Sequence, residues 1–245
     1  LHGERGVEVQ HVAVEGERIA AVGRLDGAQA HTIIDAAGRV VCPGFIDTHL
    51  HSEVELLAGV HTAGVQMGVT TEFICPDGMG FACLPQDLLA DYWRYVYGIY
   101  GDSREMAGWT TVRDYLNAFT GRAHNNIVSM APHGAIRLAA CGWKTGPATP
   151  DVLAHQKQLV HEWMQAGAVG LNTGLGYAPA AYADAHEIAA LCKVTAAYGG
   201  VYAAHMRNYG SERDASIAEV SFIAREGGVP VHINHFAGTP EMYAS

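Results

Sequence analysis

Lysine is nearly missing from this chain. Among its 245 residues only Lys144, Lys157 and Lys193 carry an ammonium group, and the formal net charge is −10. No basic run is present to neutralise a phosphate backbone or an anionic bilayer, which argues against nucleic acids and membrane surfaces as partners. Long apolar runs are missing as well: no stretch approaches the ~20 continuous apolar residues that span a bilayer. The five cysteines, Cys42, Cys75, Cys83, Cys141 and Cys192, contain no Cys-x-x-Cys pair and no even framework. That fits a reducing, cytoplasmic compartment better than a disulfide-held secreted domain. No Gly-x-Gly-x-x-Gly opens a helix, which counts against dinucleotide binding. The sequence begins at Leu1 rather than methionine, so a preceding segment, a signal peptide included, stays open.

What is abundant is apolar surface and histidine. Apolar residues make up 49% of the chain, enough for one large domain or such a domain with a small appendage. Histidines number 14, against 15 for lysine and arginine together. Residues 1–42 read as part of a small β domain. In it "VAVEGERIAAVG" alternates on both sides of Glu15-Gly16-Glu17 as a hairpin does, and "TIIDAAGRVVCPG" predicts a second hairpin turning at Ala37 and Gly38. From Pro43 the texture changes to strands near 45–49, 70–75, 127–131, 168–172, 201–205 and 231–235, alternating with helices. The helix in "TPDVLAHQKQLVHEWMQAG" has Thr149 as N-cap, Pro150 at its first position and Gly167 at its end. Each Gly-terminated helix feeds a β-branched run, the rhythm of an α/β parallel sheet. An open doubly wound sheet and a (β/α)8 barrel both accommodate it. "GTPEMYAS" marks a further helix start, with Thr239 as N-cap, Pro240 next and Glu241 in the first turn. One turn does not stand alone as a helix, so residues 43–245 are expected to be the N-terminal portion of the α/β unit, interrupted after about six strands.

The short stretch "GFIDTHLHSE" carries the first chemical signal. In an extended chain residues i and i+2 share a face, so His49 and His51 can converge on one ion at the end of the first strand; a polar strand exit is the plain alternative. His205 and His235 close the fifth and sixth strands, and in a parallel barrel all strand C-termini share the face where active sites form. Four imidazoles at that rim are costly as unpaired buried groups and natural as ligands of a divalent ion. His232 falls on the opposite face from His235 and is expected to be a hydrogen-bonded wall residue. His133, in "APHGAIR", is expected to support the site or the fold. A bridging anion between two ions is offered by the loop after the second strand, by Asp77 or by Cys75. A carboxylate accepts a wide range of metals, and a thiolate suits zinc. The plain reading makes Cys75 a small buried apolar residue and Asp77 a turn former.

"DAAGRVVCPGFIDTHLHSE" resembles the opening of the amidohydrolase superfamily, where a small β-sandwich hands over to a metal-binding TIM-type (β/α)8 barrel. "GVTTEFICPDGMGFA", "VGLNTGLGYAPAAYADAHEI", "AAHMRNYG" and "GGVPVHINHFAG" resemble its N-acyl-D-amino-acid deacylase (D-aminoacylase) branch, and the likeness runs from about residue 7 to the end. The resemblance implies a barrel truncated after about six strands, with His49 and His51 on one metal and His205 and His235 on another. It also implies a bridging ligand at Asp77, with Cys75 as the alternative, and zinc as the metal, one ion or two. Arg207 and Tyr177 match substrate-facing positions. An arginine there suits a substrate carboxylate, and its alternative is a structural salt bridge. The implied reaction is metal-assisted hydrolysis of a non-peptide amide in a small N-acyl amino acid or related amide. Its proton-shuttling aspartate is expected beyond Ser245, so residues 1–245 alone contain no catalytic aspartate and are expected to be inactive. Asp47 belongs to the strand and does not replace it. The lysine usual after the sixth-strand histidine is missing from "NHFAGTPE". A cyclic-amide hydrolase of the dihydroorotase or hydantoinase kind, or a non-catalytic scaffold on the same barrel, are the competing readings. The first lacks a strand-end lysine here, and the second tends to lose histidines that this chain keeps.

Overall fold

The computed structural model of the chain describes residues 10–36, 38–102 and 109–236. The chain divides into two units, one ending at Gly44 and one beginning at Phe45. In the first, strands β1 (His11–Glu15) and β2 (Arg18–Gly23) pair antiparallel across the turn at Gly16, as their alternation predicts. The second hairpin is not formed among the described residues: Arg39 N–H closes a turn on Ala36 O at 2.8 Å, with no strand on either side. Ile33, Ile34, Val40 and Val41 are exposed there. Alternation makes a strand only where a partner supplies the ladder and a face to bury.

The second unit is a row of parallel strands crossed by helices. Strand β3 (Phe45–Asp47) leads through helices α1 (Glu53–Ala58) and α2 (Ala63–Gln66) to β4 (Val69–Ile74). Helices α3 (Gln86–Tyr100) and α4 (Val112–Asn117) follow, then β5 (Asn126–Ser129) and β6 (Ala131–Pro132). Next come α5 (His133–Cys141), α6 (Pro150–Ala166), β7 (Gly170–Gly174), α7 (Ala185–Ala196), β8 (Val201–His205), α8 (Arg213–Gly227) and β9 (Val231–Ile233). The order is β3-β4-β5 in one sheet and β6-β7-β8-β9 in the next, all pairs parallel. The two are joined through residues 126–132, where Met130 N–H reaches Ile74 O at 3.4 Å and Ser129 O accepts from Val169 N–H at 2.9 Å. The predicted strand positions are thus occupied in order. Among the described residues the row stays open at both ends. Phe45, Ile46 and Val231 on its outer strands are exposed, and the predicted helix start at Thr239 lies outside the described residues.

The helices follow their local signals. Thr149 caps α6, accepting from Val152 N–H, with Pro150 in the first turn and Gly167 ending it in the left-handed region. Gln156, Leu159, Val160, Trp163 and Met164 form the buried stripe of that helix, the i, i+3, i+4, i+7, i+8 spacing of one helical face. Asp184 caps α7 in the same way, its Oδ1 accepting from Glu187 N–H at 2.8 Å. Strand β7 is buried throughout, covered by this layer of helices.

One buried ion pair fastens α5, α6 and α7 together. Glu187 accepts from the Arg137 guanidinium, from Gln156 Nε2 at 2.9 Å and from Ala148 N–H at 2.9 Å, and His133 Nε2 lies 3.7 Å away. His133 is thus wholly buried in the helical layer, where it supports the fold. Burial alone would raise the Glu187 carboxyl, but the adjacent His133 imidazole and the bonds from Arg137 and Gln156 outweigh it and hold the group at about 2, against an ordinary 4.5. A carboxyl depressed on folding stabilises above its unfolded value and loses that stabilisation as pH falls through the folded one. Denaturant unfolding should therefore show a loss of about 3 kcal/mol between pH 4.5 and pH 2 attributable to this group. Glu187→Gln should lower stability near pH 7 by about 3 kcal/mol and flatten that acid limb.

Candidate metal centre

The strand C-termini deliver five side chains to one point. His49 and His51 follow β3, with Asp47 Oδ1 accepting from His49 N–H at 3.0 Å and so fixing the strand exit. Asp77 follows β4 in a tight turn in which Cys75 and Asp77 both adopt positive φ, 63° and 52°. Such backbone is costly for residues other than glycine and persists only where its surroundings hold it. His205 is the last residue of β8, and His235 stands two residues after β9 with φ 46°.

The turn is held by close backbone packing. A Cβ on Gly174 would lie 2.2 Å from Asp77 O, and one on Gly134 would lie 2.8 Å from Gly78 O. Glycine at these positions lets β7 and the start of α5 press against the turn and set the height of Asp77.

Asp77 is 5% exposed and sits at the centre of the group. Its Oδ2 lies 3.5 Å from His49 Nε2, 3.4 Å from His51 Nε2 and 3.3 Å from His235 Nε2, and its Oδ1 lies 3.5 Å from His205 Nδ1. The carboxylate oxygens thus divide the histidines three and one, whereas the resemblance implies two and two. Asn234 Nδ2 donates to Asp77 Oδ1 at 3.2 Å and lies 3.4 Å from Asn172 Oδ1. Burial would push the Asp77 carboxyl up, but the imidazoles of His205, His49 and His51 overcome it and hold the group far below the usual carboxylate range.

These distances fit a metal site. Ligand atoms about 2.1 Å from a tetrahedral ion stand about 3.4 Å from one another, and the nitrogen-to-oxygen separations span 3.3–3.5 Å. Among the described residues His49, Asp77 and His235 each offer a ligand atom within 4.8 Å of the others. Both ring nitrogens of His49 and Nδ1 of His205 are buried without a hydrogen-bond partner, and coordination would engage one nitrogen of each ring. Imidazole and carboxylate together suit zinc and neighbouring divalent ions.

The other expected site residues fall in different places. Cys75 is fully buried, with Sγ 3.8 Å from Ser129 Oγ and 4.0 Å from Tyr115 Oη. Burial, then the nearby Glu53, pushes its thiol well above the ordinary value. Two residues along a left-handed turn separate a side chain aimed into the core from one aimed at the histidines. Tyr177 stacks obliquely on His205, ring centres 4.6 Å apart, and lines a narrow cleft of about 10 Å³ with Asp77, Tyr92, Tyr95 and Pro179. Arg207 turns away to α8: it grips Glu219 through Nε and Nη2 and donates to Ala181 O and Ala183 O. Four of its five N–H donors are so directed, the salt-bridge alternative for this residue. His232 lies exposed on the outer strand. Residues without an earlier role also enter the site. Tyr209 packs on His205 and bonds Asn234 O at 2.7 Å, and Glu53 and Tyr100 sit behind His51. The only sequence signals for them are adjacency, Glu53 two residues after His51 and Asn234 just before His235.

A family profile described as the amidohydrolase family matches residues 32–244. Among curated relatives, the D-aminoacylase of Alcaligenes xylosoxydans xylosoxydans is 37% identical over 233 residues, 91% of this chain and 46% of that protein. A crystal structure of a D-aminoacylase superposes with a TM-score of 0.82 at 34% identity, covering 96% of this chain and 49% of the other. The N-acyl-D-glutamate deacylase of Bordetella bronchiseptica, solved with zinc and a phosphonate mimic of the tetrahedral intermediate, superposes at 0.77 with 28% identity, covering 91% and 46%. The chain spans about half the length of each of these relatives.

The packing of the Asp77 turn has a direct test. Gly174→Ala should displace the Asp77 carbonyl and cost about 3 kcal/mol in denaturant unfolding. Gly167→Ala, at a helix end away from the turn, should leave any uptake of added divalent metal unchanged while Gly174→Ala lowers it.

Proposed function

The chain belongs to the amidohydrolase family, and from that premise we propose that it contributes the metal centre of a hydrolase that deacylates N-acyl-D-amino acids. The observation that carries this reading is the convergence of His49, His51, His205 and His235 on Asp77 within 3.3–3.5 Å. These five side chains would hold one or two divalent ions, zinc being the metal in the related deacylase structure. A bound ion supplies Lewis acidity for the amide carbonyl and brings the pKa of its water toward about 7.

The chain's own residues bind and orient. Asp77 Oδ1 is steadied by Asn234, so the central ligand keeps one direction. Tyr177, Tyr95 and Pro179 wall the narrow cleft beside Asp77, and the hydrocarbon part of a small N-acyl amino acid would enter there only if these side chains part. Arg207 acts on that wall from behind, pinning the carbonyls of Ala181 and Ala183 just after Pro179; binding a substrate carboxylate directly would require it to release Glu219. Both Asp77 oxygens are engaged by the histidines and Asn234, so the proton shuttle is assigned to a separate aspartate, the one the resemblance implies after Ser245. The exposed apolar residues on β3 and β9 suit a barrel completed by further strands at those edges.

The test is hydrolysis of paired N-acetyl-D- and N-acetyl-L-amino acids by the full-length protein. Turnover of the D series, abolished by chelation and restored by zinc, is expected, and His49→Ala should reduce kcat/KM by about 100-fold or more. Turnover confined to the L series, or activity indifferent to chelation, would contradict the proposal.

A further inference from the structure

Behind the histidines lies a buried polar chain that the hydrolytic reading leaves unused. Glu53, fully buried at the start of α1, accepts the Cys75 backbone N–H on its Oε1 at 2.8 Å. The Tyr100 hydroxyl, on the last residue of α3, lies 3.3 Å from the same oxygen. That hydroxyl is also 3.1 Å from His51 Nδ1, with the two rings edge to face. The far nitrogen of His51, Nε2, faces Asp77 Oδ2 at 3.4 Å.

The end of this chain sets its direction. The Cys75 N–H donates to Glu53 Oε1, and the Tyr100 hydroxyl is placed to donate to the same oxygen, so the Glu53 carboxylate is the acceptor in both bonds. Tyr100 has one hydroxyl hydrogen. Aimed at His51, it would leave lone pairs of Tyr100 and Glu53 opposed across 3.3 Å in a buried setting. Aimed at Glu53, it leaves a lone pair for an N–H at His51 Nδ1.

We propose that Tyr100 and Glu53 are positioning residues that lock His51 in the Nδ1–H tautomer, with the Nε2 lone pair turned toward Asp77 and the metal position. The inference rests on the reading of His51 as a metal ligand. Glu53 Oε1 has a second effect: its bond to Cys75 N–H secures the left-handed turn that carries Asp77. One buried oxygen therefore orients ligands from two strands, the role that outer partners of metal-bound histidines play.

The tautomer is read directly by long-range proton–nitrogen-15 correlation of histidine side chains in the full-length protein stripped of metal, with His51 assigned from the signals lost in His51→Gln. The wild-type ring should carry its proton on Nδ1 and none on Nε2. Tyr100→Phe should populate the Nε2–H form and weaken zinc binding about 10-fold or more in competition with a chromophoric chelator. A wild-type His51 protonated on Nε2, or a tautomer unchanged in Tyr100→Phe, would overturn the proposal, and the wild-type spectrum decides it even if the variant does not fold. A wild-type Nδ1–H ring in a protein that takes up no zinc would keep the tautomer lock and overturn the metal reading, so the two fail separately.

Discussion

A carboxylate enclosed by imidazoles governs this structure. Asp77 is nearly sealed from solvent, and an isolated buried carboxylate costs several kcal/mol. Four histidines and Asn234 offset that cost, and they reach it only because the strands run parallel and end on one face. The fold and the site are therefore one constraint: the βα units between β3 and β9 set where along the rim each histidine emerges.

The turn after β4 concentrates the demand. Cys75 and Asp77 take left-handed backbone, and the strain is balanced by two kinds of support. From one side, β7 and the start of α5 press in through Gly174 and Gly134, where no Cβ intervenes. From the other, Glu53 accepts the Cys75 N–H in the core. The Glu187 ion pair does related work one layer out, tying the helix that starts at His133 to α6 and α7. Polar groups buried in this way narrow the alternatives open to the chain more than they add to its stability.

The strand-end histidines were legible in the sequence because strand position and period determine where a side chain emerges, and "GFIDTHLHSE" states both. The choice between Asp77 and Cys75 was open because it depends on two φ angles that no periodicity reports. Arg207 was visible as an arginine on the rim, but its orientation is set by Glu219, twelve residues on and across a loop. Tyr100 and Glu53 meet over 47 positions of sequence, a pairing created wholly by the path of α3. The alternation in "TIIDAAGRVVCPG" is a true apolar pattern that finds no partner strand among the described residues.

The relatives place the chain among amidohydrolases, and the geometry gathers four imidazoles around one carboxylate that could hold a metal. Zinc K-edge X-ray absorption of the full-length protein loaded with one equivalent of zinc examines that arrangement most directly. The account predicts a first shell of nitrogen and oxygen alone at about 2.0–2.1 Å, with the outer scattering of several imidazoles. A sulfur shell at about 2.3 Å would place Cys75 where Asp77 is assigned and contradict it.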